Sequence, residues 1–190
     1  MKSFVLGSLI VLAAALPVSA QGVHFGITGG WYTPYGAVKD YAKSGYDGGL
    51  TLQIGAPLVP VGFRFDAMYG EMPGKSLYVA GETVKSDFTV WSATGNIVWT
   101  IFGNALPTKF YLIGGIGYYS VQQKITSTLG SVPTVTTPAF GYNAGLGFKF
   151  TKLFIEARWT NINGGLNLEA FGSTGSQALQ VVPINVGILF

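Results

Sequence analysis

The chain has 190 residues, of which 48% are hydrophobic and 14% aromatic, and only 10% are charged, against roughly 25% in ordinary soluble domains. Eleven Lys and Arg residues stand against eight Asp and Glu residues, and there is no cysteine. This composition excludes a disulfide scaffold, and the small basic excess gives no indication of a nucleic-acid-binding surface.

The first twenty residues have the features of a secretory signal peptide. Lys2 supplies a positive start, Phe4–Leu16 form a mostly apolar stretch, and Pro17–Ala20 provide small residues for cleavage. The apolar stretch is too short to be a membrane-spanning helix with flanks. We therefore expect residues 1–20 to be cleaved and residues 21–190 to form one exported domain.

After the signal peptide, hydrophobic residues alternate with polar or small ones in eight successive segments, which is the period of a β-strand. No run of ~20 consecutive apolar residues is present that could form a transmembrane helix. An exported, apolar chain of this kind predicts a membrane β-barrel. The predicted strands are Val23–Tyr35, Tyr46–Ala56, Val61–Gly70, Asp87–Ile101, Thr108–Val121, Ala139–Phe150, Leu153–Asn161 and Ala178–Phe190.

The connections between these strands alternate between long and short. Outer-membrane barrels have this asymmetry, with short periplasmic turns and long outer loops. We therefore predict an all-β, eight-stranded antiparallel transmembrane up-and-down β-barrel in the outer membrane, with both termini in the periplasm. The long connections are Gly36–Gly45, Glu71–Ser86, Gln122–Pro138 and Ile162–Gln177, and the short ones are Pro57–Pro60, Phe102–Pro107 and Thr151–Lys152.

The three short turns fix a register for their hairpins. A slip of one residue would place charged side chains on the apolar face in the first and third hairpins, so the register is well specified there. The predicted pairs are Ile54 with Phe63, Leu52 with Phe65 and Gln53 with Arg64 in the first hairpin, Trp99 with Phe110 and Ile97 with Leu112 in the second, and Phe148 with Ile155, Gly147 with Glu156 and Gly145 with Arg158 in the third.

The final segment, VVPINVGILF, indicates which face of each strand meets lipid. Val186, Ile188 and Phe190 belong to a uniformly bulky face, the opposite face is mixed, and neither face carries charge. We expect the bulky face to contact hydrocarbon, because a soluble barrel would show charges outside. Aromatic residues also fall where lipid-interface girdles belong: Trp31, Tyr69, Trp91, Tyr118 and Trp159 towards the loops, and Trp99, Phe110 and Phe148 towards the turns.

The inward positions carry an interior polar network. Arg64 and Asp66 share one face of the third predicted strand, and Glu156 and Arg158 share one face of the seventh, which stands opposite. We expect Arg64 to pair with Glu156 and Asp66 with Arg158, because mutual pairing offsets the cost of desolvation. Two further inward residues, Lys149 and Gln53, are assigned to the same network, with Lys149 reaching diagonally to Glu156. We interpret the network as a structural plug; a proton or ion path is the alternative.

Several segments together resemble the OmpX/OmpA-type outer-membrane β-barrel domain of Gram-negative bacteria: GFRFDAMYG, NIVWT, YLIGGIGYY, GYNAGLGFKF, FIEARWT and VPINVGILF. The resemblance covers the whole chain after the signal peptide. It implies an outer-membrane β-barrel, and it implies that the barrel-assembly machinery recognises Phe190 and its alternating strand, with Ile188 and Val186. It leaves the function open, because such barrels serve adhesion, envelope integrity or host interaction.

A lipid A-modifying barrel enzyme is one alternative. Its site would combine a histidine with serine or acidic partners near the outer leaflet, whereas the single histidine, His24, begins the first predicted strand at the periplasmic end. There is no G-x-S-x-G sequence and no cluster with metal-ligand spacing. We therefore expect no catalytic, cofactor-binding or metal-binding residues and no cofactor.

A second alternative is a narrow channel, or a lateral route for small hydrophobic molecules as in OmpW-like barrels. It would need an apolar inward pocket near the loops, to which Tyr32, Met68, Ile113 and Tyr119 could contribute. The main hypothesis is a filled barrel with a structural or surface-interaction role. Its expected partners are outer-membrane lipid, lipopolysaccharide, the barrel-assembly machinery and an unidentified surface ligand, with no nucleic acid, and we expect a monomer. Candidate ligand contacts in the first two outer loops are Tyr41, Leu77 and Tyr78.

Overall fold

The computed structural model describes residues 22–56, 58–79, 82–103, 106–127, 130–131, 134–167 and 176–190. The proposed signal peptide lies outside these residues and stays a prediction. The described chain forms ten strands and one short 3₁₀ helix, Gly36–Asp40. The strands are β1 (Val23–Tyr35), β2 (Gly45–Gly55), β3 (Val61–Met72), β4 (Ser76–Val79), β5 (Glu82–Phe102), β6 (Thr108–Ser127), β7 (Gly130–Ser131), β8 (Val135–Phe150), β9 (Leu153–Asn167) and β10 (Ser176–Leu189).

Eight of these strands close into a barrel. They are hydrogen-bonded in the order β5, β3, β2, β1, β10, β9, β8, β6, and β6 pairs again with β5. Every pairing is antiparallel between consecutive long strands, with β1 and β10 joining the two ends. Closure leaves the eight strands of the barrel without a free edge. The predicted eight-stranded up-and-down barrel is therefore confirmed. Within the described residues, no helix combines the length and the apolarity needed to cross a membrane.

The strands extend further towards the long loops than the sequence predicted. Strand β5 begins at Glu82 instead of Asp87, and β6 ends at Ser127 instead of Val121. The added residues pair regularly, up to Val84 opposite Ser127. The short strands β4 and β7 pair with the outer ends of β5 and β6. A small sheet of β4, β5, β6 and β7 therefore projects on this side, and we call it the projecting sheet.

Two of the three predicted hairpin registers are confirmed and one is wrong. Ile54 pairs with Phe63 and Phe148 pairs with Ile155, as predicted. In the β5–β6 hairpin, however, Trp99 pairs with Leu112 instead of Phe110, a shift of two residues. Next to the turn Phe102 pairs with Phe110, three residues away from the predicted register, and an irregularity between Thr100 and Phe102 adds a residue to β5 and reduces the shift to two. An even shift keeps every side chain on its predicted face.

The two faces of the barrel wall are inverted relative to a soluble protein. Outward side chains are large and apolar; Trp31, Leu50 and Ile116 are 68%, 63% and 74% exposed. The charged residues Arg64 and Glu156 are 2% and 3% exposed inside. An outer surface of this kind cannot be solvated well by water, and it matches the hydrocarbon of a bilayer.

The terminal strand follows the same pattern. Ile184, Val186 and Phe190 are exposed on the outer face, whereas Val181 and Leu189 are buried inside. Phe190 remains held in the sheet, because its amide donates to the Phe25 carbonyl oxygen at 2.6 Å.

Candidate functional site in the barrel lumen

Four charged side chains from opposite walls form a closed ring across the lumen. Arg64 and Asp66 come from β3, and Glu156 and Arg158 come from β9. Arg64 Nη1 lies 2.9 Å from Glu156 Oε2, and Arg158 Nη2 lies 2.8 Å from Asp66 Oδ2. The ring closes along each strand, through Arg64 Nε to Asp66 Oδ1 at 3.0 Å and through Arg158 Nε to Glu156. We call these four residues the charge ring; its formal charge is zero.

Neutral side chains complete the hydrogen bonds of the charge ring. Thr51 Oγ1 accepts from Arg64 Nε at 2.9 Å, and Asn96 Nδ2 donates to Asp66 Oδ2 at 2.9 Å. The Tyr111 hydroxyl donates to Glu156 Oε2 at 2.8 Å. The Arg64 guanidinium also lies over the Phe154 ring, 4.6 Å from its centroid. These contacts offset the free-energy cost of desolvating the buried ions, which ion pairing alone often does not compensate.

A glycine makes room for one of these neutral partners. Gly147 on β8 is opposite Glu156 on β9. A Cβ atom at Gly147 would overlap the ring of Tyr111. The small residue therefore leaves room for the end of the tyrosine ring, whose hydroxyl reaches the Glu156 carboxylate.

Lys149 and Gln53 do not join the charge ring. In the described part of the chain, no ion pair within 4.0 Å connects Lys149 to Glu156, so the expected diagonal contact is not formed. Tyr111 and Arg64 occupy Glu156 Oε2 instead. Both Lys149 and Gln53 line a separate, open cavity of about 550 Å³ at the end of the barrel that carries the short turns. We call this end the turn side, the opposite end the loop side, and the cavity the vestibule.

An apolar layer separates the charge ring from the vestibule. Val98, Tyr111 and Ile113 form a buried cluster, and Phe154 and Leu189 are 2% exposed beside them. Four of these residues (Val98, Tyr111, Phe154 and Leu189) also form the inner wall of the vestibule. The charge ring is therefore shielded from water on the turn side.

A larger apolar cluster fills the loop side of the lumen. Val38, from the 3₁₀ helix after β1, is completely buried in it. The loop that carries Val38 is fastened to the next connection, since Lys43 N donates to the Pro73 carbonyl and Lys75 N to the Tyr41 carbonyl, each at 2.7 Å. The cluster, which we call the loop-side plug, comprises Tyr32, Val38, Ala42, Met72, Phe88, Val90, Tyr119, Val121, Ala139, Ile162, Leu179 and Val181.

A small cavity of about 40 Å³ lies between the charge ring and the loop-side plug. Met68, Tyr32 and Tyr119 line it, but Ile113 lies in the turn-side cluster, on the other side of the ring. The four residues suggested for an apolar pocket thus do not share one. Small-molecule sites usually have volumes of ~300–1,000 Å³, so the cavity has room only for a few water molecules.

The predicted interface aromatics lie on the outer face. Trp31, Trp91, Trp99, Phe110, Tyr118 and Phe148 are exposed there. Tyr69 and Trp159 are half-buried, because they pack against neighbouring aromatic rings. The Tyr69 and Trp91 centroids are 4.6 Å apart, and those of Trp159 and Tyr142 are 5.6 Å apart.

The structure also locates the residues that were considered for catalysis, metal binding and ligand contact. His24 is exposed on the turn side, where its Nδ1 atom donates to the Phe190 carbonyl oxygen at 3.2 Å. Among the residues described, no group of three or more His, Cys, Asp and Glu side chains could hold a metal ion. Tyr41 packs against the loop-side plug instead of standing free as a ligand contact. The side chains of Leu77 and Tyr78 lie outside the described parts of the structure.

The lumen residues missed by the sequence analysis share a recognisable signal. Tyr111 has the same parity on β6 as Ile113, and both are buried inward. Thr51 is opposite Asp66 in the predicted and observed register. Extending the inward parity of each strand to uncharged polar residues would have identified both as partners of the charge ring.

A closed antiparallel barrel with an apolar exterior and an ionised interior defines the class of small transmembrane β-barrels. Comparisons agree on the fold. The attachment invasion locus protein Ail of Yersinia pestis has a TM-score of 0.54 and 17% identity, covering 90% of this chain and 99% of that one. A major outer membrane protein from Thermus thermophilus has a TM-score of 0.56 and 13% identity, covering 90% and 100%. Neisserial surface protein A has a TM-score of 0.51 and 13% identity, covering 90% and 98%. No family model and no curated protein matches the sequence.

Proposed function

We propose that the protein is an outer-membrane barrel with a closed lumen, which serves a structural or surface-interaction role through its outer loops. In this proposal residues 1–20 are the cleaved signal peptide, the turn side faces the periplasm together with both termini, and the loop side faces the exterior. The protein is a monomer in lipid and lipopolysaccharide. The barrel-assembly machinery inserts it by recognising the strand with Val186, Ile188 and Phe190.

The observation that carries the proposal is the filled lumen. The charge ring crosses the barrel between the turn-side apolar layer and the loop-side plug, and the free space on its loop side is about 40 Å³. An eight-stranded barrel is just wide enough to be filled by its own side chains. A solute would have to break the ion pairs of Arg64 and Arg158 in order to pass.

A surface role has two supports. The projecting sheet presents exposed polar groups, among them the Lys85–Asp87 ion pair at 2.9 Å. Two proteins of the same fold carry names that describe an attachment invasion locus protein and a surface protein. Since the sequence identities are low, those names support a surface location more than any particular ligand.

Planar-bilayer recording combined with protease treatment of intact cells tests the proposal. Refolded protein should give silent bilayers, and protease added outside should cleave the loop-side connections. Stable unit currents from the unmodified chain would contradict a closed lumen. Cleavage only in broken cells would contradict the orientation.

A gated ion path is the competing interpretation of the charge ring, and Glu156→Gln separates the two. For a structural plug, this change should lower stability and leave the bilayer silent, because the apolar layers remain. A large gain in conductance without loss of heat stability would favour a gated path.

The described residues give no observation that favours the transport alternative or the enzyme alternative. The volume near the loops is too small for a hydrophobic solute. His24 lies on the turn side, bonded to the Phe190 carbonyl, and so far from an outer-leaflet substrate in the proposed orientation.

A further inference from the structure

The vestibule carries two lysines that face each other. Lys109 on β6 and Lys149 on β8 are direct register partners, and both line the cavity of about 550 Å³. Like charges placed directly opposite each other destabilise a sheet. Only 10% of the residues in this chain are charged. The lysine pair nevertheless concentrates positive charge at one end of the barrel, although it does not stabilise the sheet.

Among the described residues, no carboxylate side chain compensates these lysines, since neither Lys109 nor Lys149 takes part in an ion pair there. Glu156 of the charge ring lies behind Tyr111 and Phe154, and its Oε2 atom already accepts from Tyr111 and Arg64. The vestibule is therefore a cationic chamber with an apolar inner wall.

The neutral groups at the vestibule complement the lysines. Gln53 lines the cavity with a side-chain amide that can donate a hydrogen bond. His24 is its register partner, but His24 Nδ1 already donates to the Phe190 carbonyl. His24 is thus engaged with the chain itself, and the two lysines supply the charge-assisted contacts.

We propose that the vestibule is a binding site for the oxyanion of a small organic phosphate or carboxylate, held between Lys109 and Lys149 with the apolar body of the ligand against Val98 and Leu189. The volume lies within the range of ~300–1,000 Å³ that is usual for small-molecule sites. With the orientation proposed above, the site opens to the periplasm. The same phosphate chemistry could come from a soluble molecule or from an anionic lipid headgroup.

The test uses the full exported chain, refolded in zwitterionic detergent and titrated calorimetrically with inorganic phosphate and with phenyl phosphate. We expect saturable one-site binding, tighter for phenyl phosphate because its ring can cover the apolar wall. Lys109→Gln and Lys149→Gln should each weaken binding about ten- to a hundredfold, which is the range expected for the loss of one charge-assisted hydrogen bond. Lys152→Gln, in the exposed turn between β8 and β9, is the matched control and should bind like the unmodified protein.

The variants test binding and not folding, because removing one of two opposed lysines should leave the melting temperature equal or higher. Absence of saturable binding, or equal loss of affinity in Lys152→Gln, would overturn the proposal. Nanodiscs of zwitterionic and of anionic phosphoglycerol lipid identify the source. Competition by the anionic lipid that depends on Lys109 and Lys149 supports a headgroup, whereas equal affinity in both nanodiscs supports a soluble anion. Neither result affects the conductance test, because the charge ring lies behind the inner wall.

Discussion

Arg64 Nη1 and Glu156 Oε2 lie 2.9 Å apart although the two residues are 92 positions apart in the sequence. The contact spans the lumen from β3 to β9, so it exists only when the barrel is closed. Formation of this contact therefore requires a closed barrel, and substitutions in the charge ring should change the stability of the whole barrel.

Removing one member of the charge ring should cost far more than removing a pair. Glu156→Gln leaves Arg64 and Arg158 with one carboxylate, and it should lower the free energy of unfolding by about 3–5 kcal/mol. The paired change Arg64→Met with Glu156→Leu leaves Asp66 and Arg158 as a neutral pair and should cost much less. Urea unfolding in lipid vesicles measures both. A paired variant less stable than Glu156→Gln would contradict this account of the ring.

Gly147→Ala should displace Tyr111 and break its hydrogen bond to Glu156. Overpacking of this kind costs about 1–3 kcal/mol, and the shift should be visible as a change in tyrosine fluorescence or near-ultraviolet circular dichroism. Gly114→Ala is the matched control on the neighbouring strand, since a Cβ there meets only the Asn143 carbonyl oxygen at 3.5 Å. Equal destabilisation by the two substitutions would show that Tyr111 is not the cause.

A charge on the outer face should be costly only within the apolar belt. Leu50, which is 63% exposed, lies between Tyr46 and Ile54 on β2, near the middle of the belt. Leu50→Arg should cost about 2–4 kcal/mol in a bilayer. Thr126→Arg, on the loop-side extension of β6, should change stability by less than about 0.5 kcal/mol. If Leu50→Arg proved neutral in vesicles, the outer face would not be in contact with hydrocarbon.

The hairpin of the projecting sheet should open on acidification. Burial raises the pKa of the Asp87 carboxyl, but the hydrogen bond from Gly74 N and the Lys85 ammonium outweigh burial, and the pKa falls below its ordinary value. Its stabilisation is present above the unfolded pKa, about 3.9, and is lost as the pH falls through the folded pKa. Hydrogen exchange at Gly74, compared with Asp87→Asn to cancel the intrinsic pH effect, measures it. Protection of Gly74 that is independent of both pH and the substitution would contradict the assignment.

The turn-side half of the fold could be predicted from the sequence because apolar side chains mark its outer face. The pairs Ile54–Phe63 and Phe148–Ile155 followed from parity and turn length. The β5–β6 register did not, because a shift of two residues leaves parity unchanged and the irregularity at Thr100–Phe102 has no sequence signal. The outer ends of β5 and β6 were missed because Thr, Ser, Lys and Gln alternate there without an apolar face.

The charge ring could be predicted because four ions on opposite strands of a narrow barrel have few other partners. The position of Lys149 could not, since it depends on which side of Phe154 and Tyr111 the ammonium lies. These two aromatic residues belong to the apolar layer that divides the lumen into the charge ring and the vestibule. Only the packing of whole side chains decides such a division.

The complete burial of Val38 limits where foreign sequence can be inserted. A peptide tag placed within the first outer connection would displace this side chain from the lumen, together with Ala42, which is buried in the same cluster. Val79 and Glu82, by contrast, are register partners at the far end of the projecting sheet, so an insertion between them lengthens the connection from β4 to β5 without pulling on the lumen. Epitope display on this scaffold should therefore succeed between Val79 and Glu82 and fail beside Val38.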